Sequence, residues 1–472
     1  MNTHLLRLSA ILLLPIPLAS AETRLARIFG NGMVVQQEKP VTVWGWDDPD
    51  TEITVAFGGD SKKTKSDAKG GWKVTLPAAK ADGQPRTLTA TGTTSVTFDD
   101  ILLGEVWLAS GQSNMDWRLS AATGGRDEIK AADFPKIRLF RVEKDVAAQS
   151  KQDVATGKWV ACSPTTAGSF SAVAYFFGKN LHQDLKVPVG LVMSAVSGTP
   201  IEPWMSPETH ALLPPPPPPL PGAKKMWPNP SQLFEGMIRP LSPVGLRGVI
   251  WYQGEGNSKD GARYTAKMQG LVDGWRKQWA DPFPFYFVQI GQRPYVEPLG
   301  PDAKPFTLPT FWEAQAQAAK LIPDSGLAVI NDISELDLHP LNKKDVGHRL
   351  ALIALAKTYG KKDLVYSGPV FKAMKAEGGK LRISFDHTGS GLASRDGGEL
   401  TWFEIIDADK GDFVKAKAEI VGNEVILSAP DVEKPVAVRF TWDNTAVPNL
   451  MNKEGLPAMS FRAGEVPARA SY

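Results

Sequence analysis

The chain has 472 residues and one cysteine, Cys162. A single thiol forms no internal disulfide and supplies no cysteine cluster for a metal. Its Ala-Cys-Ser-Pro setting has no basic neighbour to lower the thiol pKa, so Cys162 reads as a packing residue. Neither basic nor acidic residues are in marked excess. There are 53 Lys and Arg against 51 Asp and Glu, a formal net charge of +2. That balance makes no electrostatic case for a nucleic acid or an acidic lipid partner. Past the first residues no apolar run reaches membrane-spanning length. No His-x-x-x-His, Cys-x-x-Cys or carboxylate-rich loop appears, so the reading includes no metal and no other cofactor.

The apolar run that does exist lies at the start. Residues 1–21 carry Arg7, then apolar residues through Leu18, and end Ala19-Ser20-Ala21. This is the pattern of a cleaved export leader, and it predicts a protein exported to the periplasm or the cell exterior. Loss of Arg7 with the leader takes the net charge from +2 to +1.

Two kinds of grammar divide the rest. Residues 22–100 hold short runs rich in β-branched and aromatic residues: VTVWGW (41–46), EITVAF (52–57), WKVTL (72–76) and RTLTAT (86–91). Gly, Asp and Pro clusters separate them, which predicts a sandwich-like β domain. Trp44, Trp46 and Trp72 read as core residues rather than a glycan-binding face. Residues 101–362 alternate apolar strand-like runs with amphipathic helical stretches. The strand-like runs are 101–108, 187–195, 246–252, 283–290 and 327–330. Residues 264–279 place Met268, Leu271, Val272, Trp275 and Trp279 on one helical stripe. This alternation predicts an α/β domain, a parallel sheet covered by helices on both faces. A proline-rich loop, 213–222, interrupts it and reads as a polyproline-II spacer. Residues 363–464 return to β grammar, and 465–472 read as a loose tail.

In open α/β sheets the chemistry gathers where strands end. Ser113 follows the first strand, in Gly-Gln-Ser-Asn, where helix-start N–H groups lack intrahelical partners. Ser197-Gly198-Thr199 follows the second, and Gln253-Gly254-Glu255 the third. Asn331-Asp332 and then Asp337-Leu338-His339-Pro340 follow the fifth. Of the six histidines, only His339 has a carboxylate nearby, a preceding parallel strand and a helix immediately after it.

A serine hydroxyl becomes nucleophilic when a neutral imidazole takes its proton, and a carboxylate can fix the imidazole tautomer. Ser113 is therefore the candidate nucleophile and His339 the base. Asp337 is the first choice to orient it, with Asp332 and Glu335 in reserve and a Ser–His dyad also open. The backbone N–H groups of Ser113 and Gly198 and the amide of Gln253 are the candidate oxyanion donors. Gly111-Gln112-Ser113-Asn114-Met115 lacks the second glycine of a Gly-x-Ser-x-Gly nucleophile elbow.

GQSNM, GTPIEPW, WYQGEGN and DLHPLNKKDVGHRLA, in that order, resemble the sialate O-acetylesterase family of SGNH-type hydrolases. PNLMNKEGLPAMSFR and much of the N-terminal β region are also similar to it. The resemblance implies an SGNH-like three-layer fold flanked by β modules. It also implies a serine esterase that removes acetyl groups from carbohydrate hydroxyls, with Ser113, His339, Gly198 and Gln253 at the family's motif positions. Two departures stand out: Ser197 precedes Gly198 where the family has a glycine, and Asp337 lies two residues before His339 where many SGNH enzymes have three. The partner expected is an O-acetylated glycan. Acetyl-xylan or xyloglucan esterase activity and an inactive glycan-binding protein are the alternatives.

Overall fold

The computed structural model describes residues 22–215, 227, 229–294 and 306–468. The predicted leader, all of the proline loop beyond residue 215, and the end of the tail lie outside the described residues.

The centre is a sheet in which Gly248–Tyr252 and Val189–Ala195 flank the strand Ser95–Gly111 on either side. Phe134–Arg141 lies beyond Val189–Ala195. On the other side Phe285–Val288 and Ser325–Ala328 complete the parallel array. Trp159–Cys162 closes one edge antiparallel to Phe134–Arg141. Successive side chains point to opposite faces. Val106 and Leu108 enter one core, with the helices Arg263–Trp279 and Thr307–Leu321. Trp107 and Ala109 enter the other, with Ala172–Leu185 and Lys343–Lys357. Three layers result, as the alternating grammar predicts.

Helix starts and stops follow local chemistry. Asn342 caps the Lys343–Lys357 helix by accepting the Asp345 N–H at 3.1 Å. Val346, Leu350 and Ile353 on its buried face are essentially inaccessible. Met268, Leu271, Val272 and Trp275 of the stripe are buried on Arg263–Trp279, and Trp279 is half-buried at its end. The strands Phe134–Arg141 and Trp159–Cys162 and the helix Thr307–Leu321 are not marked by the sequence pattern. The first of these begins Phe-Pro-Lys with partly or fully exposed residues, which masks its apolar second half.

One strand crosses a boundary read from the sequence. The sequence divides two domains between residues 100 and 101, yet a single strand, Ser95–Gly111, runs through that point. Its first part pairs antiparallel with Arg86–Thr91. From Leu102 it pairs parallel with Val34–Gln36 and then with Val189–Ala195. Asp100, at φ 56°, turns the strand between the two settings. The N-terminal β region thus continues hydrogen-bonded into the central sheet, and Trp44 and Trp72 are buried in their shared core.

At the C-terminus two four-stranded sheets enclose a separate apolar core that includes Leu381, Ile383, Phe403, Val425 and Phe440. The fold is thus mixed α/β with added β modules. Cys162 is buried among apolar neighbours, and burial pushes its thiol up to about 12. No helix among the described residues is long and apolar enough to cross a membrane.

Candidate active site

Three strand ends lie level: Gly111 pairs with both Ala195 and Tyr252. The segments carrying Ser113, Gly198 and Gln253 therefore leave the sheet at one height. Connections to the two sides of the central strand run in opposite directions, which opens a crevice at its end. Gly111 has φ 136°, and a Cβ there would sit 2.2 Å from the Tyr252 carbonyl oxygen. Only glycine fits this strand-to-helix turn. Ser113 then opens a short helix, Ser113–Asp116, and its N–H at the first helical position has no intrahelical acceptor.

His339 arrives from farther away, on the loop after Ser325–Ala328. Its Nε2 lies 2.8 Å from Ser113 Oγ. The imidazole stacks on Trp117, ring centroids 4.9 Å apart at 22°. Burial, and next the Lys343 ammonium, hold the imidazole pKa below its ordinary value, while Asp337 pulls the other way. The imidazole is consequently neutral near pH 7.

The three candidate carboxylates separate clearly. Asp337 Oδ1 accepts the backbone N–H of His339 at 2.8 Å, an Asx-type turn. Asp332 is paired with Arg349 through two hydrogen bonds of 2.7 and 2.6 Å, both side chains buried. Glu335 is exposed, and it and Leu336 both adopt left-handed backbone, φ 53° and 55°. The segment before His339 is thus a tight turn. It is not the extended chain that would place Asp337 and His339 side chains on one face. Among the described residues the ring of His339 has one hydrogen bond, to Ser113.

Gly198 is exposed, with φ 73°. Gln253 is fully buried. Its Nε2 donates to the Thr199 carbonyl at 3.2 Å and to Asn257 Oδ1 at 2.8 Å, and its Oε1 accepts from the Tyr264 hydroxyl at 2.8 Å. Both amide N–H bonds are therefore engaged within the protein, and they tie the Gly198–Thr199 loop to the turn after Gly248–Tyr252.

Sequence reasoning missed the groups beneath Ser113. Lys343 is fully buried and donates to Asn114 Oδ1. Asn114 Nδ2 donates to Glu255 Oε1 and to the Leu338 carbonyl, the latter at 2.9 Å. The Lys343 ammonium also lies 5.2 Å from the Tyr252 ring centroid and 5.7 Å from that of Trp117. Burial lowers Lys343 to about 7 and raises Glu255, whose carboxylate is enclosed. All three residues stand inside the quoted motifs, but an amide, an amine and a glutamate carry no marker of burial. Among the described residues no group of three His, Cys, Asp or Glu side chains could hold a metal.

A model of the family described as "Carbohydrate esterase, sialic acid-specific acetylesterase" matches residues 103–355. Human (Homo sapiens) sialate O-acetylesterase is 30% identical over 407 residues, covering 77% of this chain and 76% of the human one. The mouse (Mus musculus) sialate O-acetylesterase is 29% identical over 432 residues, covering 77% and 79%. Among solved structures, a carbohydrate acetylesterase from Xanthomonas citri superposes with a TM-score of 0.85. It shares 38% identity, with 94% of this chain and 99% of that one covered.

Proposed function

The chain belongs to the sialic acid-specific acetylesterase family of carbohydrate esterases and is a carboxylic ester hydrolase, and from that premise we propose that it removes O-acetyl groups from carbohydrate hydroxyls through a Ser113 acyl-enzyme. The observation that carries this reading is the 2.8 Å hydrogen bond from Ser113 Oγ to His339 Nε2 at the crevice beyond the central strand.

In the proposed reaction Ser113 Oγ attacks the acetyl carbonyl carbon while His339 Nε2 takes the hydroxyl proton. The tetrahedral oxyanion is held by the backbone N–H groups of Ser113 and Gly198. Gln253 supports this hole through Thr199, the residue after Gly198. Collapse breaks the ester C–O bond, and the imidazolium returns its proton to the leaving sugar oxygen. Water, deprotonated by His339, then releases acetate and restores Ser113. Asp337 contributes a negative charge beside the imidazole and fixes its backbone. On this reading the fold is of SGNH type, and residues 1–21 direct export.

Ser113→Ala tests the proposal. Acetate release from a panel of acetylated glycans, including O-acetyl sialic acid and acetylated xylan, should be abolished, with the thermal unfolding curve unchanged. Near-native turnover would remove Ser113 from the reaction. Inactivity of the native chain on every member would favour a glycan-binding role instead. The ranking of substrates separates sialate from hemicellulose esterase activity.

A further inference from the structure

We propose that Asn114 and Lys343 are positioning residues that hold the His339 imidazole against Ser113 Oγ, through the hydrogen bond from the Asn114 amide to the carbonyl of Leu338. This inference rests on the Ser113 esterase reading above and names two further residues for it.

The geometry leaves the amide one orientation. A backbone carbonyl only accepts, and a lysine amine can donate in either protonation state. Lys343 must therefore face Asn114 Oδ1, and the two N–H bonds of Nδ2 must face Glu255 Oε1 and the Leu338 oxygen. Turning the amide over would set its oxygen against the Leu338 oxygen, which cannot donate. Asn114 adjoins the nucleophile in sequence, and Leu338 adjoins the base. One side chain thus joins the two halves of the Ser–His pair, and a buried ammonium and a buried carboxylate lock it. The lock matters because, among the described residues, no carboxylate holds the imidazole ring itself. Its remaining restraints are the stack on Trp117 and the Asx turn at Asp337.

The ammonium also acts on the imidazole directly, as one of the causes that keep His339 uncharged. The groups facing Lys343 come from every side. Glu335, Asp337 and His339 lie on the loop before its helix. Glu255, with Arg293 near it, lies on the turn after Gly248–Tyr252. Tyr252, whose phenol burial pushes well above its ordinary pKa, lies on that strand. The acidic groups among them favour the charged amine and burial opposes it.

The experiment compares Lys343→Met, Asn114→Ala and the double variant for kcat, KM and the pH profile of kcat/KM. The rate at which a fluorophosphonate labels Ser113 is followed in parallel. Each single variant should lose on the order of 10- to 100-fold in kcat, the cost of misplacing a reacting group by about an ångström. KM should stay within about threefold, and Ser113 labelling should slow in step. The double variant should be no worse than the poorer single one, because both remove the same tether. In Lys343→Met the acid limb of the profile should move to higher pH. Should that variant fail to fold, Asn114→Ala decides alone, by a joint fall in kcat and labelling rate. Native kcat in the folded variants, losses confined to KM, or additive losses with an unmoved acid limb would overturn the proposal. Ser113→Ala separates the two levels. If it stays active, the esterase site is wrong; if it is inactive while the tether variants are normal, only the positioning role fails.

Discussion

Ser113 Oγ and His339 Nε2 are 2.8 Å apart although 226 positions separate them in the chain. Ser113 sits on the central strand's own extension. His339 lies on the loop that follows a strand three places across the sheet, where Phe285–Val288 and Gly248–Tyr252 intervene. The loop must therefore turn back across the sheet edge. The successive left-handed residues Glu335 and Leu336 lie in that return path. Such backbone persists where its surroundings over-determine it. Here the Asn114 bond to Leu338 and the Asx turn of Asp337 hold the segment just past the bend.

The neutral imidazole sets the pH dependence. In the proposed Ser113 mechanism His339 must be unprotonated to take the serine proton, and burial with Lys343 lowers its pKa below 6.5. Activity therefore appears as pH rises through a midpoint below the ordinary histidine value and is on its plateau at neutral pH. A profile of kcat/KM for a chromogenic acetate should be more than half-maximal at pH 6.5. A midpoint above that value would mean the imidazole is stabilised in its charged form.

Asp337 and Asp332 should separate by what each variant damages. In Asp337→Asn the side-chain oxygen can still accept the His339 N–H, so kcat should fall by no more than roughly tenfold. Removing the negative charge lowers the histidine pKa further, so the acid limb should shift to lower pH. A loss near 10⁴-fold, as in a triad whose carboxylate grips the ring, would show that Asp337 turns onto the imidazole during turnover.

Asp332→Asn leaves the Arg349 guanidinium buried without its charge partner. Breaking a buried ion pair costs about 3–5 kcal/mol, so the variant should unfold at lower temperature. At temperatures where it is folded it should keep most of its kcat. Native stability would mean the pair is replaced at no cost.

Gln253→Ala should lower stability and kcat together. The truncation leaves the buried Thr199 carbonyl without its Gln253 donor, and it cuts the Tyr264 hydroxyl back to the Gln253 carbonyl and the Asn257 amide oxygen back to the Ile201 N–H. An unpaired buried group costs about 1–3 kcal/mol. The loop carrying Gly198 also loses its anchor, so kcat falls with little change in KM. Loss of kcat at unchanged melting temperature would show instead that the amide turns to the oxyanion itself.

Periodicity and residue type carried a good part of the fold. The stretches 41–46, 52–57 and 86–91 form strands at those bounds, because alternating β-branched residues between turn formers have few other solutions. The Arg263–Trp279 helix was legible from its stripe. Asp60–Lys65 was not, since a charged and largely exposed hairpin strand carries no apolar alternation.

Local pattern alone places a serine, a histidine, glycines and amides after strands of a parallel sheet, because strand ends are written in residue type and spacing. Tertiary structure decided which of them meet and what each is committed to. The level ends of three strands bring Ser113, Gly198 and Gln253 to one height. The folded-back loop turns Asp337 onto a backbone N–H, Arg349 takes Asp332, and Lys343 is buried under Asn114. The reason is physical. Local propensity acts within a few residues, whereas a hydrogen bond or an ion pair depends on distances that only the packed chain sets.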